Sequence, residues 1–254
     1  MTTVGLLYPG HAAEDDFPRI EILLDTDIRL PLFATDPGED ACHPGALRER
    51  GAPGRIAEGI EELRLAGAEA LVWASTGGSF GYGWEGAHEQ VATLARTAGL
   101  PASSTSIGFA HAVRELGARR VAVAAPYSED VTGLLAQFLA SAGVEAVAAA
   151  SGGAASSAEA GSWGPERVKR LALEADDPDA EAVLIPGTSL HTAAYIPELE
   201  EALGKPVLTA NQVTVWEGLR LTDRRIWAPT LGTLFSTRAP VPGSLEPKGI
   251  EVRE

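Results

Sequence analysis

The chain has 254 residues, 45% of them hydrophobic and 22% charged, and a formal charge of −15 at neutral pH. That is apolar material for one large core or two modest ones, and the negative balance excludes a general binder of nucleic acid. No window approaches the ~20 consecutive apolar residues of a membrane span, and a single cysteine, Cys42, excludes an internal disulfide framework.

The opening MTTVGLLYPG lacks a basic flank, so its apolar run reads as a first strand, Val4 to Tyr8, and not as a secretory signal. With the lone thiol, this gives a cytoplasmic location as the expectation. A helix follows through Phe17, Ile20, Leu23 and Leu24, with Glu14, Asp15 and Asp16 suited to its positive end. Ile28 to Phe33 reads as a second strand and Ala34 to Gly54 as a loop with room for one helical turn, holding Cys42 and His43. Ile56, Ile60, Leu63 and Leu65 mark a helix leading into Leu71 to Ala74, an apolar run without alternation, as in a strand buried on both faces. That strand stops at Ser75-Thr76-Gly77-Gly78-Ser79, where small and hydroxylic residues expose backbone N–H groups at its carboxyl end.

Beyond it come a helix to Ala98, a short strand at Ala102 to Ser104, a helix with Phe109 and Val113, and the strand Val121 to Ala125, which ends in Pro126-Tyr127-Ser128. A helix covers Val131 to Leu139, and Val144 to Ala149 is a strand. Ser151 to Gly161 reads as an Ala/Gly/Ser linker. A helix then leads to the strand Ala182 to Ile185; another helix spans Ala193 to Leu203, Val207-Leu208 is the last strand, and Val213 to Leu221 a final helix.

Three echoes run through this order. Ala68-Glu69-Ala70 returns as Ala180-Glu181-Ala182, which places Ser75 on Gly187 and Thr76 on Thr188; VGLLYP returns as VAVAAP, and Gly99-Leu100-Pro101 as Gly204-Lys205-Pro206. The expected fold is therefore α/β, with two pseudo-symmetric, three-layer, Rossmann-like αβα domains on parallel sheets. The boundaries are residues 1–107 plus 210–236, residues 108–209, and a loose tail over 237–254. Ligands of such sheets sit beyond the carboxyl ends of the strands, so four turns converge on one cleft: Pro9 to His11, Ser75 to Ser79, Pro126 to Ser128 and Gly187 to His191. No phosphate-binding loop and no zinc-ligand spacing is present, and no metal site is expected.

The motifs GLLYPG, ASTGGSFGYG, PASSTS, LGARRVAVAAPYSEDV, PGTSLHT and TANQVTVWEGLR resemble the aspartate/glutamate racemase superfamily. Within it the resemblance is to the branch of arylmalonate decarboxylases and maleate cis-trans isomerases, over nearly the whole chain to about Phe235. It implies a cofactor-independent enzyme acting on a small carboxylic acid. Thr76, Tyr127 and the backbone donors at Gly77 and Thr188 would bind a carboxylate and stabilise an enediolate. The two cysteines of the superfamily's racemases, one per half, fall here on Ser75 and Gly187; by the same resemblance decarboxylases keep one of the pair and maleate isomerases use the first as a nucleophile. A serine hydroxyl is a poor substitute for a thiolate, so two-base racemisation is disfavoured and thiolate addition to maleate is impossible as the chain stands.

Decarboxylation of a malonate-type acid needs no thiol for bond cleavage; reprotonation needs a proton donor, for which Ser75 through water, Tyr127, His11 and His191 are candidates. Cis-trans isomerisation leads if Ser75 stands for a natural cysteine, and a retired small-acid binder is the non-enzymatic alternative. Asn211 either binds a second carboxylate or caps the helix after it. His88 and His111 read as helix residues, and Cys42 as an ordinary loop thiol. The expected partner is a small carboxylic acid, with neither nucleic acid nor membrane, and self-association is left open.

Overall fold

A computed structural model describes residues 1–237; the expected tail lies beyond them except for Thr237. The chain opens with β1 (Thr2–Pro9), α1 (Asp16–Leu24), β2 (Ile28–Arg29), β3 (Leu32–Thr35), α2 (Pro44–Arg50), α3 (Pro53–Ala57) and α4 (Ile60–Leu65). It continues through β4 (Ala70–Trp73), α5 (Gly77–Phe80), α6 (Gly83–Ala98), β5 (Ala102–Ser104) and α7 (Thr105–Glu115). There follow β6 (Arg120–Ala125), α8 (Glu129–Ser141), β7 (Glu145–Ser151), α9 (Ser157–Gly161), α10 (Pro165–Ala175), β8 (Ala182–Ile185), α11 (Ile196–Leu203), β9 (Val207–Thr209) and α12 (Ala210–Leu221).

All strand pairs are parallel. β1 lies between β4 and the β2/β3 segments, with β5 beyond β4; β6 lies between β7 and β8, with β9 beyond β8. The two sheets share one strand order, which is the topology the echoes predict.

The echoes also have physical content. Glu69 exchanges bonds with Thr3 at the start of β1: its amide donates to the Thr3 carbonyl at 2.8 Å and its Oε1 accepts from the Thr3 amide at 3.1 Å. Glu181 repeats the clasp on β6, its amide donating to the Arg120 carbonyl at 2.8 Å and its Oε2 accepting from the Arg119 and Arg120 amides at 2.7 and 2.9 Å. Each glutamate thus ties its own strand to the first strand of its sheet. Gly99 and Gly204 close α6 and α11 with φ of 66° and 65°, the left-handed cap that glycine adopts without a Cβ penalty.

Alternation along the strands builds three cores. Leu6, Val72, Val123 and Leu184 face one shared interior that spans both sheets. Leu7, Leu71 and Trp73 face the outer layer carrying Ile56, Ile60, Leu63 and Leu94; Ala122, Val183 and Ile185 face Val168, Leu171 and Leu199. α12 returns onto β1, β4 and β5. A side chain at Gly218 would put its Cβ 2.3 Å from Val4 Cγ1, so the close crossing depends on that glycine.

Four expectations are corrected. Ile28 to Phe33 is two segments, because Pro31 lacks a ladder donor. The Ile56 to Leu65 helix is broken into α3 and α4, and Leu65 is exposed. The Ala34 to Gly54 loop contains α2 and the start of α3, and the Ser151 to Gly161 linker contains α9.

Candidate active site

At the carboxyl end of β4 the chain leaves the sheet abruptly, the Ser75 amide donating to the Trp73 carbonyl at 2.8 Å. The Ser75 hydroxyl then accepts from the Gly78 amide at 3.1 Å. Hydroxyls from the PASSTS segment brace this turn: Ser106 Oγ donates to the Thr76 carbonyl at 2.7 Å, and Ser79 and Ser104 share a bond of 2.9 Å. Thr76 is fully buried, and its Oγ1 lies beside the Tyr127 hydroxyl without reaching a hydrogen-bond partner among the described residues.

The turn borders a cavity of about 20 Å³, room for about one water. Ser75 and Gly77 line it from β4, Pro126 and Tyr127 from β6, and Thr188 and Ser189 from β8. Four of the predicted residues, Ser75, Gly77, Tyr127 and Thr188, therefore meet. The Tyr127 hydroxyl donates to the Pro186 carbonyl at 2.8 Å, and burial lifts its ionisation far above the phenol range, so it is a neutral donor. The remaining wall comes from segments that carried no expectation: Cys42, Leu47 and Arg50 on one side, Ser157 and Ala160 of α9 on the other.

α2 exists because His43 caps it, Nδ1 accepting from the Ala46 amide at 3.2 Å, and because Pro44 occupies its first turn. It ends at Gly51, pressed so closely on the carbonyl of Gly78 that a Cβ there would clash outright. Gln90 Nε2 fastens this approach by donating to the Gly51 and Gly78 carbonyls at 2.7 and 2.8 Å. Arg50, one residue before Gly51, is thereby fixed beside the Ser75 turn. Only 5% exposed, it reaches Ser157 Oγ at 3.3 Å and the Glu39 and Ala41 carbonyls at 3.4 and 3.5 Å.

The rim is zipped across the cleft. Asp40 accepts from the Ser157 and Ala158 amides at 2.9 and 3.1 Å, and the Cys42 amide donates to the Ala155 carbonyl at 3.0 Å. Burial opposes the Asp40 charge, but those two amides and Arg50 together hold its carboxyl below the usual range. Burial raises the Cys42 thiol, with Arg50 pulling the other way.

The other predicted residues lie outside the cavity wall. His11 is exposed and pairs with Glu14 at 3.1 Å; His191 pairs with Asp15 of α1 at 2.8 Å. Asn211 is buried, its Nδ2 donating to Asp16 Oδ2 at 3.1 Å and to the Leu190 carbonyl at 3.3 Å. Gly187 supports the β8 turn, where a Cβ would lie 2.7 Å from Pro126 Cγ. Sequence signals for the missed wall did exist: Pro44 and Gly51 bracket a helix, and Ser156 with Glu159 has capping-box spacing, with Ser156 Oγ accepting from the Glu159 amide at 3.0 Å. Among the described residues no group of three His, Cys, Asp or Glu side chains could hold a metal ion.

The arylmalonate decarboxylase family model matches residues 51–235. The chain is 29% identical over 192 residues to arylmalonate decarboxylase of Bordetella bronchiseptica, covering 71% of this chain and 76% of that one. It is 26% identical over 137 residues to maleate isomerase of Geobacillus stearothermophilus, covering 54% and 55%. Among solved structures, an arylmalonate decarboxylase superposes with a TM-score of 0.71 at 27% identity, covering 93% of this chain and 100% of that one. The fold alone is shared with maleate isomerase of Pseudomonas putida S16, at TM-score 0.82 and 20% identity over 92% and 98% of the chains. The chain belongs to the arylmalonate decarboxylase family, in the decarboxylase and maleate isomerase branch of the aspartate/glutamate racemase superfamily, and is an enzyme of that decarboxylase or cis-trans isomerase kind.

Proposed function

We propose that the chain is a cofactor-independent decarboxylase of a small malonate-type acid, working through an enediolate. The observation that carries this reading is the wall at residue 75: a serine, occupied as acceptor of the Gly78 amide, stands where the branch's isomerases place a nucleophilic thiol. Addition to a double bond has no thiolate there, whereas loss of carbon dioxide asks only for an apolar place to desolvate the leaving carboxylate and for donors aimed at the enediolate. Leu47, Pro126 and Ala160 supply the first and the Thr76, Tyr127 and Thr188 region the second. Maleate-type isomerisation is the second reading, kept by the Cys42 thiol in the same cavity.

A proton NMR time course with phenylmalonate, methylmalonate and maleate in deuterated buffer separates the two. Decarboxylation yields an α-deuterated monoacid; isomerisation yields fumarate from maleate. In this reading the Tyr127 hydroxyl turns from the Pro186 carbonyl to the enediolate, so Tyr127→Phe is expected to lower kcat about 10²-fold, the scale of one lost oxyanion donor, and an undiminished rate removes Tyr127 from the mechanism.

A further inference from the structure

The titratable side chains that line the cavity are Cys42, Arg50 and Tyr127. A guanidinium does not give up its proton in a protein, and the Tyr127 proton is held by the Pro186 carbonyl on a phenol that burial makes a weaker acid still. His11 and His191 are engaged outside, with Glu14 and Asp15, and His43 is engaged in capping α2 through the Ala46 amide. Cys42 remains, and the thiol stays protonated at neutral pH because burial raises it.

A second, independent feature points to an anion. Arg50 is 5% exposed, yet its nearest carboxylate, Asp40, lies 3.6 Å away and spends its oxygens on two amides. Its Nε has no partner among the described residues, and no acidic side chain lines the cavity. Arg220 shows what a satisfied guanidinium looks like in this fold, holding Glu217 through two bonds of 2.7 and 2.8 Å. A buried guanidinium with an unpartnered Nε, whose one carboxylate stands 3.6 Å away and is engaged with two amides, is under-satisfied, and a carboxylate entering the cavity relieves that cost.

We propose that Arg50 takes a carboxylate of a dianionic acid and that Cys42 is the catalytic proton donor beside it, a thiol supplied by the chain between β3 and α2 instead of by the strand turns. The assignment rests on the decarboxylase reading above. The bond to the leaving carboxyl group breaks, carbon dioxide departs, and the electron pair passes into the retained carboxylate as an enediolate. That pair then forms a C–H bond with the proton of the Cys42 thiol, and the resulting thiolate, stabilised by Arg50, takes a proton from water. No oxidant or second substrate is required.

Two readouts test this on the full chain. Alkylation of Cys42 by iodoacetamide, followed by intact mass, is expected to slow at least fivefold with saturating malonate, and this protection is expected to vanish in Arg50→Gln and persist in part in Arg50→Lys. In turnover of the malonate-type acid found by NMR, Cys42→Ala is expected to lose 10²- to 10⁴-fold in kcat, with KM within threefold and an unchanged circular dichroism spectrum. Absence of malonate protection overturns the site, even if no acid is turned over and the decarboxylase reading itself fails. Cys42→Ala turnover within threefold of the unmodified chain, or a maleate-derived adduct on Cys42, overturns the proton-donor role.

Discussion

The two sheets are joined by two aspartates that meet the same kind of partner in different surroundings. At the rim, Asp40 caps α9 through the Ser157 and Ala158 amides, is 38% exposed, and has its carboxyl held low. Inside, Asp16 of α1 accepts from the Thr192 and Ala193 amides at 2.9 and 3.2 Å and from Asn211 at 3.1 Å, but it is 2% exposed and burial pushes its carboxyl up. The bond pattern is similar, and solvent decides the sign of the shift. The rim joint is therefore cheap to open beside the cavity, while the inner joint is costly to disturb.

The largest effect is expected from breaking the inner joint. Asp16→Ala leaves the Thr192 and Ala193 amides without an acceptor and Asn211 with the Leu190 carbonyl alone, a loss of about 3–5 kcal/mol. In a chain of this size that lowers Tm by roughly 10 °C, measurable by differential scanning calorimetry. A shift below about 3 °C would mean that water replaces the carboxylate and that the joint is not sealed.

Breaking the rim joint is expected to cost far less in stability and to act on access. Asp40→Ala removes two bonds to first-turn amides of α9, which Ser156 still caps, a loss of under about 1 kcal/mol at such exposure. A cavity of about 20 Å³ admits no acid until the rim parts, so the same change is expected to raise the rate of Cys42 alkylation several-fold. An unchanged rate with unchanged Tm would show that Arg50 and the Cys42 amide close the rim without Asp40.

The difference between the joints also explains what was legible in the sequence. Both sheets were readable because their strands are apolar runs buried on two faces, and the repeat was readable because Glu69 and Glu181 make the same clasp. The floor of the site was readable for a related reason: Ser75, Gly77, Tyr127 and Thr188 lie where strands end, which topology alone brings together. Its roof was not. Cys42, Arg50 and Ser157 sit on short segments whose caps are local but whose meeting depends on contacts more than a hundred residues apart, such as Arg50 with Ser157. His11 and His191 are on the expected turns, yet each pairs with a nearby carboxylate, Glu14 and Asp15, outside the cavity wall.

The smallest effect sharpens the comparison most, because the two joints should answer to pH with opposite signs. Asp40 has a folded pKa below its unfolded value, so its contribution is fully present above about pH 3.9 and is lost as pH falls through the lower folded value. Asp16 has a raised folded pKa: its protonated form is favoured in the fold, so its contribution is fully present below about pH 3.9 and is lost as pH rises through the folded value. Urea unfolding at intervals between about pH 3 and 6 reads both. Relative to the unmodified chain, Asp16→Asn is expected to remove a component of stability that declines with rising pH, and Asp40→Asn one that grows with it. If both variants change the slope in the same direction, the two carboxylates share one environment and the distinction between a wet rim and a dry interior is wrong. If only Asp16→Asn changes it, the rim is open to water often enough for Asp40 to titrate as it does in the unfolded chain, and the cavity then breathes without a substrate to part it.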